Sequence, residues 1–471
     1  MQPSRARRSR YLEPRPSRRR PAFLVALLLI AVVAAGCGVV RAAGFVHGVL
    51  GGASLADVQA VAAPQPGSIA WKLAHKERVN ILVMGYGGVE NDAPWLTDTV
   101  MVVSLDPATK RVAEISLPRD LMVPMDAFSS GQPVWQKLNV AYEIGMDDAD
   151  WTGKKPEYTG SAGAGRFAEH VVGKVAGLPI DNYVAVDFKA FRDTVNALGG
   201  VQVCLDTALD DNLYPDYQDG YVKGGVHFPA GCQQVNGERA LQLARSRHAV
   251  QPEQATDYGR ARRQQLLINA IRKKAVSAGG LAKAPALMSA LEKNFHSDLS
   301  LSDLKALYDW GGKLPDSATV RVGITEADLV DRYYQRAGSC GGWYADVLCA
   351  EDPTYKTLQQ YVGAVFVDPK ALAEKAPLEI DNASLNTEEM GDRVTSSLRQ
   401  LGLQAGASIR RKPAQASVIY DYSGGRYPAT TAWLQSYFSV TVVSPPPGTG
   451  TGLVVVLGRD YALKWIGKAA G

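Results

Sequence analysis

Three short apolar runs rich in β-branched residues lie close together between residues 79 and 117. They are Val79 to Met84, Val100 to Leu105 and Val112 to Leu117, and each has the length of a strand. A Gly-rich acidic loop separates the first two runs, and Pro118 after the third cannot continue a central strand. The pattern predicts neighbouring strands with polar residues gathered at their ends.

Further along the chain, helical and strand periods alternate. Helices are predicted over residues 166–176, 188–198, 236–247, 257–277, 282–295 and 303–310, and strands over residues 182–187, 201–205 and 319–324. The Gly- and Pro-containing stretch 147–165 is predicted to be an exposed insertion. The alternation predicts an α/β fold in which a central mixed sheet is flanked by helices.

The pattern divides the chain into two folded units. The larger is predicted over residues 76–367, and residues 368–376 form a linker. From residue 377 to about 460 a smaller α/β unit is predicted, with a helix over 387–403 that stops at Gly406.

The N-terminal region has the pattern of a membrane anchor. Residues 22–40 are uninterruptedly apolar or small, close to the roughly 20 residues that cross a bilayer. Eight arginines precede them within residues 1–20, so the segment 21–41 is predicted to be a single transmembrane helix with a cytoplasmic tail. Residues 42–75 would then be a juxtamembrane linker, and the rest of the chain would be extracytoplasmic.

Two alternative interpretations of the N-terminal region stay open. The residues before Cys37 resemble a lipoprotein cleavage box, and Arg18 to Arg20 before an apolar stretch resemble a twin-Arg signal. Both alternatives also place the protein outside the cytoplasm.

The charge distribution argues against a nucleic-acid-binding protein. The first twenty residues carry +7 against +4 for the whole chain, which leaves −3 for the remainder. The excess positive charge therefore lies in residues 1–20.

Four cysteines beyond the N-terminal region form two sequence-local pairs. Export permits disulfides, so we predict Cys204 paired with Cys232 and Cys340 paired with Cys349. The alternative is four free buried thiols.

Several short motifs follow one another in a specific order. They are LTDT at Leu96 to Thr99, SLPRD at Ser116 to Asp120, KLNVAY at Lys137 to Tyr142, and ARSRHAVQPEQATDYGRARRQQ at Ala244 to Gln265. Together they resemble the LytR-CpsA-Psr family of membrane-anchored phosphotransferases, which move polyprenyl-pyrophosphate-linked glycans onto the bacterial cell wall. The unit from residue 377 resembles the LytR C-terminal domain found in some members.

The resemblance implies an α-β-α core and a site that binds pyrophosphate and Mg²⁺ or Mn²⁺. Asp98 would hold the metal, and Arg119, Arg245 and Arg247 would act on the phosphates. The remaining implied pyrophosphate-binding residues are Asp120, which could instead orient Arg119 or act as a base, together with Lys137, Arg260, Arg263 and Gln264.

The chain departs from the family at two positions. Gly87 stands about where a second acid falls, and Leu96 stands where an Arg falls. Asp92 is the predicted substitute metal ligand, with a solvated loop acid as the alternative. Arg245 and Arg247 would diverge on a continuous helix, so a break is predicted between them.

These features predict a transferase with a polyprenyl-pyrophosphate-linked glycan as donor and peptidoglycan or a related wall glycan as acceptor. Two alternatives stay open: a hydrolase that uses water as acceptor, and a non-catalytic envelope protein that binds the lipid-linked glycan. No nucleic-acid partner is expected.

Overall fold

The computed structural model describes residues 64–89, 91, 93–216, 220–255, 257–275, 295–311, 314, 318–324, 330–333, 347–350, 354–384, 388–446 and 452–466. The predicted tail and anchor over residues 1–41, Asp92, Cys340 and residues 282–294 of a predicted helix lie outside these residues. Within the described ranges, no helix has the length and hydrophobicity to cross a membrane.

Strands and helices alternate through the first unit, as the pattern predicts. Its strands are β1 Val79–Tyr86, β2 Thr97–Asp106, β3 Arg111–Leu117, β4 Met122–Met125, β5 Val134–Lys137, β6 Asn182–Asp187, β7 Val201–Leu205, β8 Leu209–Asp211, β9 Val226–Phe228, β10 Gly231–Val235, β11 Phe295–Ser297, β12 Thr319–Gly323, β13 Val330–Tyr333 and β14 Val347–Ala350. Its helices are α1 Ile69–Ala74, α2 Val140–Met146, α3 Gly160–Ala176, α4 Phe188–Ala197, α5 Gly237–Arg245, α6 Pro252–Ala255, α7 Asp257–Ala275, α8 Leu301–Gly311 and α9 Lys356–Gly363.

A six-stranded mixed sheet in the order β11-β6-β1-β2-β3-β12 lies at the centre of this unit. β1, β2 and β3 pair antiparallel, whereas β6 joins β1 and β12 joins β3 in parallel. Side chains of a strand alternate between its two faces, and along β1 they enter two separate apolar cores: Leu82 and Met84 in one, Ile81 and Val83 in the other. Helix α3 covers the first face, and helices α4, α5 and α7 cover the second. The α-β-α layering is therefore present.

Helix α3 corrects the predicted insertion over residues 147–165. It begins at Gly160, six residues before the predicted start, and Gly163 to Gly165 are buried. A Cβ at Gly165 would overlap the ring of Tyr183, and one at Gly145 would overlap the backbone of Ala164. The glycines that indicate a loop from sequence thus allow α3 to pack closely on α2 and on the sheet.

The second unit contains a five-stranded mixed sheet in the order β16-β15-β19-β17-β18. Helix α10 Pro369–Glu374, in the predicted linker, leads into β15 Pro377–Asn382, α11 Glu388–Gln400, β16 Gln404–Arg410, β17 Val418–Asp421, α12 Pro428–Phe438, β18 Thr441–Val443, β19 Leu453–Leu457 and α13 Arg459–Ile466. The helix stop predicted at Gly406 is wrong, because Gly406 lies within β16 and the chain turns at Gly402, which has a positive φ.

The predicted Cys204–Cys232 disulfide is present between neighbouring strands. The two cysteines face each other in the register of β7 with β10, and their sulfurs are bonded. Cys349 lies in β14, and its predicted partner Cys340 falls outside the described residues.

Candidate pyrophosphate-binding site

Four charged side chains form a continuous chain at one end of the central sheet. Arg119 Nη1 donates to Asp98 Oδ1, and Arg119 Nε lies 3.3 Å from Asp120 Oδ2. Lys137 Nζ donates to Asp120 Oδ1 at 3.1 Å. Arg119 of the SLPRD motif thus pairs directly with Asp98, and Lys137 of the KLN motif, 39 positions after Asp98, is connected to it through Asp120 and Arg119.

A local irregularity of the sheet sets the position of Asp98. In the pairing of β1 with β2, Gly85 faces Thr99 and Tyr86 faces Thr97, so Asp98 is an extra residue on β2. Such a β-bulge changes the direction of one side chain relative to the regular pairing of the two strands. Asp98 therefore lies inside a strand rather than in the preceding loop, and its side chain is 34% exposed.

Asp120 is held as an anion by its neighbours. Burial alone would raise the pKa of this carboxyl, but the positive charges of Arg119 and Lys137, and to a smaller extent Arg247, lower its pKa below the usual value. A carboxylate with a lowered pKa is a weak base. The geometry therefore favours Asp120 as the group that orients Arg119 and Lys137 over the alternative of a general base.

The predicted break between Arg245 and Arg247 is confirmed. Helix α5 ends at Arg245, and Ser246 is extended with φ −52° and ψ 133°. The guanidinium of Arg245 lies over the ring of Phe188 at 4.5 Å from its centroid. Arg245 and Arg247 both line the same cavity.

A fully buried carboxylate fixes this extended segment. Asp211 Oδ2 accepts hydrogen bonds from Ser246 Oγ at 2.6 Å, from Arg247 N at 3.1 Å and from His248 N at 3.2 Å. Asp211 Oδ1 accepts a fourth from Leu213 N at 3.1 Å. The backbone on both sides of the Arg247 side chain is therefore anchored to one charged acceptor.

Arg263 fixes the same segment from the other side, which corrects its predicted role in binding pyrophosphate. It is 1% exposed, and its donors are taken by Leu243 O at 2.9 Å, by Gln254 O at 2.7 Å, by Gln254 Oε1 at 3.0 Å and by Ser246 O. A guanidinium with its donors occupied inside the protein cannot grip a phosphate. Burial lowers its pKa to about 10, so it stays charged at neutral pH.

Beside these charged residues lies a cavity of about 160 Å³ between the sheet and helices α4, α5 and α7. Two of its walls change from polar to apolar along the chain. Along α7 the lining residues pass from Arg260 and Gln264 to Leu267 and Ile271, and along β2 they pass from Asp98 to Met101. Ile271 lies eleven positions after Arg260 on this helix, which is about 16 Å along the helix axis at 1.5 Å per residue. The cavity thus combines a cationic mouth with an apolar interior.

The structure adds Asp187, which the motifs did not indicate. This buried residue caps α4 by accepting from Ala190 N at 2.6 Å, and it also lines the cavity. β1 lies between β2 and β6, with Gly85 facing Thr99 on one side and Val186 on the other, so Asp98 and Asp187 flank its end. Only the order of strands in the sheet reveals this arrangement, because the two acids are 89 positions apart.

The predicted residues thus divide by position. Those that line the cavity are Asp98, Arg245, Arg247, Arg260 and Gln264. Arg119 is ion-paired with Asp98, Asp120 is ion-paired with Arg119, and Lys137, at the end of strand β5, is ion-paired with Asp120. Helices α4 and α7 line the cavity, whereas α3 lies on the opposite face of the sheet.

The family model described as the LytR_cpsA_psr family matches residues 53–340, which is more than half of the chain. The chain belongs to this family. The matched range contains every motif residue of the site described above.

The chain is also similar to curated relatives and to solved structures. A polyisoprenyl-teichoic acid–peptidoglycan teichoic acid transferase TagV from Bacillus subtilis is 28% identical over 50% of this chain and 52% of its own length. A TagU of the same description from Enterococcus faecalis is 29% identical over 50% of this chain and 66% of its length. The matches therefore span about half to two thirds of these relatives. The B. subtilis TagV crystal structure aligns with a TM-score of 0.42 at 24% identity, covering 61% of this chain and 96% of that one.

Proposed function

We propose that this protein is an extracytoplasmic phosphotransferase that moves a glycopolymer from a polyprenyl-pyrophosphate carrier onto peptidoglycan or a related wall glycan. The observation that carries the proposal is the polarity of the cavity: an arginine-rich mouth continues into an apolar interior. A lipid-linked pyrophosphate has the same two parts, because its anionic head is joined to a long hydrocarbon chain. The names of the TagV and TagU relatives support the same donor and acceptor.

The proposed chemistry is displacement at phosphorus. An acceptor hydroxyl attacks the phosphorus attached to the sugar, the bridging P–O bond breaks, and polyprenyl phosphate leaves while the hydroxyl loses its proton. Negative charge spreads over the phosphoryl oxygens in such a transition state, so positioned cations supply most of the catalysis. Arg245, Arg247 and Arg260 at the mouth would hold the pyrophosphate, and Arg119 would reach it from beside Asp98.

The donor set is consistent with a Mg²⁺ or Mn²⁺ cofactor. Across the described ranges, no cluster of three or more His, Cys, Asp or Glu residues has a metal-binding arrangement. Mg²⁺ commonly takes one or two carboxylates, several waters and the phosphates themselves, so a dedicated cluster is not required. Asp98 would hold the ion, which would supply positive charge to the phosphoryl oxygens.

Membrane attachment is part of the proposal. The apolar segment over residues 21–41 and its arginine-rich flank support a single anchor with the N-terminus in the cytoplasm. This would hold the cavity near the bilayer that contains the lipid donor.

Release of polyprenyl phosphate by the full-length chain, followed by mass spectrometry, tests the proposal. Arg247→Ala and Arg119→Ala should each lower kcat/KM by about tenfold to a hundredfold, because each removes a charge-assisted contact to phosphate. Arg262→Ala is the matched control, since Arg262 is an exposed arginine on the same helix as Arg260 and pairs with Asp206. Equal loss in all three variants would contradict the proposed site.

A further inference from the structure

A second and larger cleft lies where the two folded units meet. It has a volume of about 560 Å³ and is formed by helix α9, by Phe366 and by helix α12. The amide of Gln360 on α9 donates to the carbonyl of Tyr437 on α12, so the two walls are joined by a direct hydrogen bond. The volume lies within the usual range for small-ligand sites, about 300–1,000 Å³.

Aromatic rings form the apolar part of this cleft. Trp433 and Tyr437 are one helical turn apart on α12, with ring centroids at 4.9 Å and planes 12° from parallel. Phe366 faces them from the other wall and is held in place by the guanidiniums of Arg78 and Arg111, at 5.0 Å and 5.8 Å from its centroid. Both Trp433 and Phe366 are partly exposed.

The polar part consists of short neutral groups and one cation. Ser436, Ser439, Thr357 and Gln360 contribute hydroxyl and amide groups, and Lys356 contributes an ammonium. No carboxylate is among the lining residues that the structure describes. Flat aromatic faces beside hydroxyl and amide groups match pyranose sugars, which have apolar C–H faces and hydroxyls around their edges.

The cleft is remote from the cationic cavity. Arg78 immediately precedes β1 and Arg111 begins β3, whereas Asp98 and the cavity mouth lie at the other end of these strands. The eight residues of β1 span about 25 Å at 3.3 Å per residue. A ligand in the cleft would therefore not touch the groups that act on the pyrophosphate.

We propose that this cleft binds the pyranose rings of a glycan strand and is a second carbohydrate site, separate from the transfer site. Its identification as a wall-glycan site rests on the proposed function, whereas its affinity for sugars does not. Such a site would keep the protein on the polymer that contains its acceptor hydroxyls and would raise their effective concentration.

Binding of chitotetraose, a β-1,4-linked N-acetylglucosamine tetramer, to the full-length chain tests the proposal by titration calorimetry. We expect saturable 1:1 binding that weakens by about tenfold or more in Trp433→Ala, which loses an aromatic face. Ser436→Glu should weaken it similarly, because Ser436 is exposed and its replacement fills the cleft without removing core packing. Tyr221→Ala is the control, since Tyr221 is 58% exposed and lies outside the cleft.

The outcomes separate this proposal from the proposed function. Arg247→Ala should lower kcat/KM for transfer by about tenfold to a hundredfold and retain chitotetraose binding, because the two sites are distinct. No binding by the wild-type chain, or unchanged affinity in both Trp433→Ala and Ser436→Glu, would overturn the carbohydrate site and leave the transfer proposal intact. If Trp433→Ala fails to fold, as judged by circular dichroism, Ser436→Glu alone decides.

Discussion

Replacing Asp211 tests how the protein positions Arg247. The buried carboxylate accepts from the backbone N–H groups of Arg247 and His248, from the Ser246 hydroxyl and from Leu213 N. In Asp211→Ala the buried Ser246 hydroxyl and the partly buried N–H groups of Arg247 and His248 lose their acceptor. A buried unsatisfied donor costs about 1–3 kcal/mol, and the two partly buried backbone groups beside the Arg247 side chain add less than that each.

The segment can avoid this cost by moving, and Arg247 then leaves its position at the cavity. A charge-assisted hydrogen bond to phosphate contributes about 1.5–3 kcal/mol, and loss of that contact lowers kcat/KM by about tenfold to 150-fold. Asp211→Asn keeps one oxygen that can accept from the three donors of the segment. We expect its activity to lie between those of the wild type and Asp211→Ala.

Asp303→Ala is the matched control for loss of stability. Asp303 is also buried, and its carboxylate accepts from Ile69 N at 3.0 Å, from Ser300 N at 3.2 Å and from Ser300 Oγ at 2.6 Å. Urea denaturation gives the free energy of unfolding of each variant, and polyprenyl phosphate release gives turnover per folded molecule. Equal turnover per folded molecule in Asp211→Ala and Asp303→Ala would refute a positioning role for Asp211.

Three further predictions concern stability and the cavity. Burial and the nearby Asp298 raise the pKa of Glu169 to about 9 in the folded protein, so folding favours its protonated form. The free energy of unfolding should therefore decrease as pH rises above the unfolded pKa of about 4.5. In Glu169→Gln the urea concentration at the unfolding midpoint should change less between about pH 5 and 8 than in the wild type, and an equal change would contradict this. Cys204 and Cys232 are 28 positions apart, so loss of their disulfide in Cys204→Ser should lower the free energy of unfolding by about 3–4 kcal/mol in calorimetry, and reductant should then destabilise this variant by about 3–4 kcal/mol less than it destabilises the wild type. Ile271→Trp fills the apolar end of the cavity, so KM should rise more for long polyprenyl donors than for short ones. An equal rise in KM for both donors would mean that the polyprenyl tail binds elsewhere.

Local sequence pattern was sufficient for most elements of the sheet. The runs at β1, β2 and β3 are buried on both faces and rich in β-branched residues, which is the composition that strand prediction recognises. Helix α3 was predicted too short because Gly163 and Gly165 indicate a loop in the sequence pattern. Their role in close packing depends on the residues that they contact in the folded protein. A glycine in a close helix contact and a glycine in a loop are the same letter in the sequence.

The motifs indicated the correct region of the site but not the division of roles within it. Arg260 and Arg263 are equivalent in sequence, yet one lines the cavity and the other is buried against backbone carbonyls. Asp187 and Asp211 resemble ordinary loop or cap acids until the strand order brings them to the site. Such roles depend on long-range pairing, which a local pattern does not contain.

Transfer by the wild-type chain tests the central claim most directly. The full-length protein in detergent is incubated with a polyprenyl-pyrophosphate-linked oligosaccharide, with and without Mg²⁺ and a peptidoglycan acceptor, and products are followed by mass spectrometry. The account predicts that polyprenyl phosphate and a phosphodiester-linked glycan appear together, and that both depend on Mg²⁺ and on the acceptor. Equal release of polyprenyl phosphate with and without the acceptor would indicate a hydrolase. Retention of the intact donor under every condition would contradict catalysis.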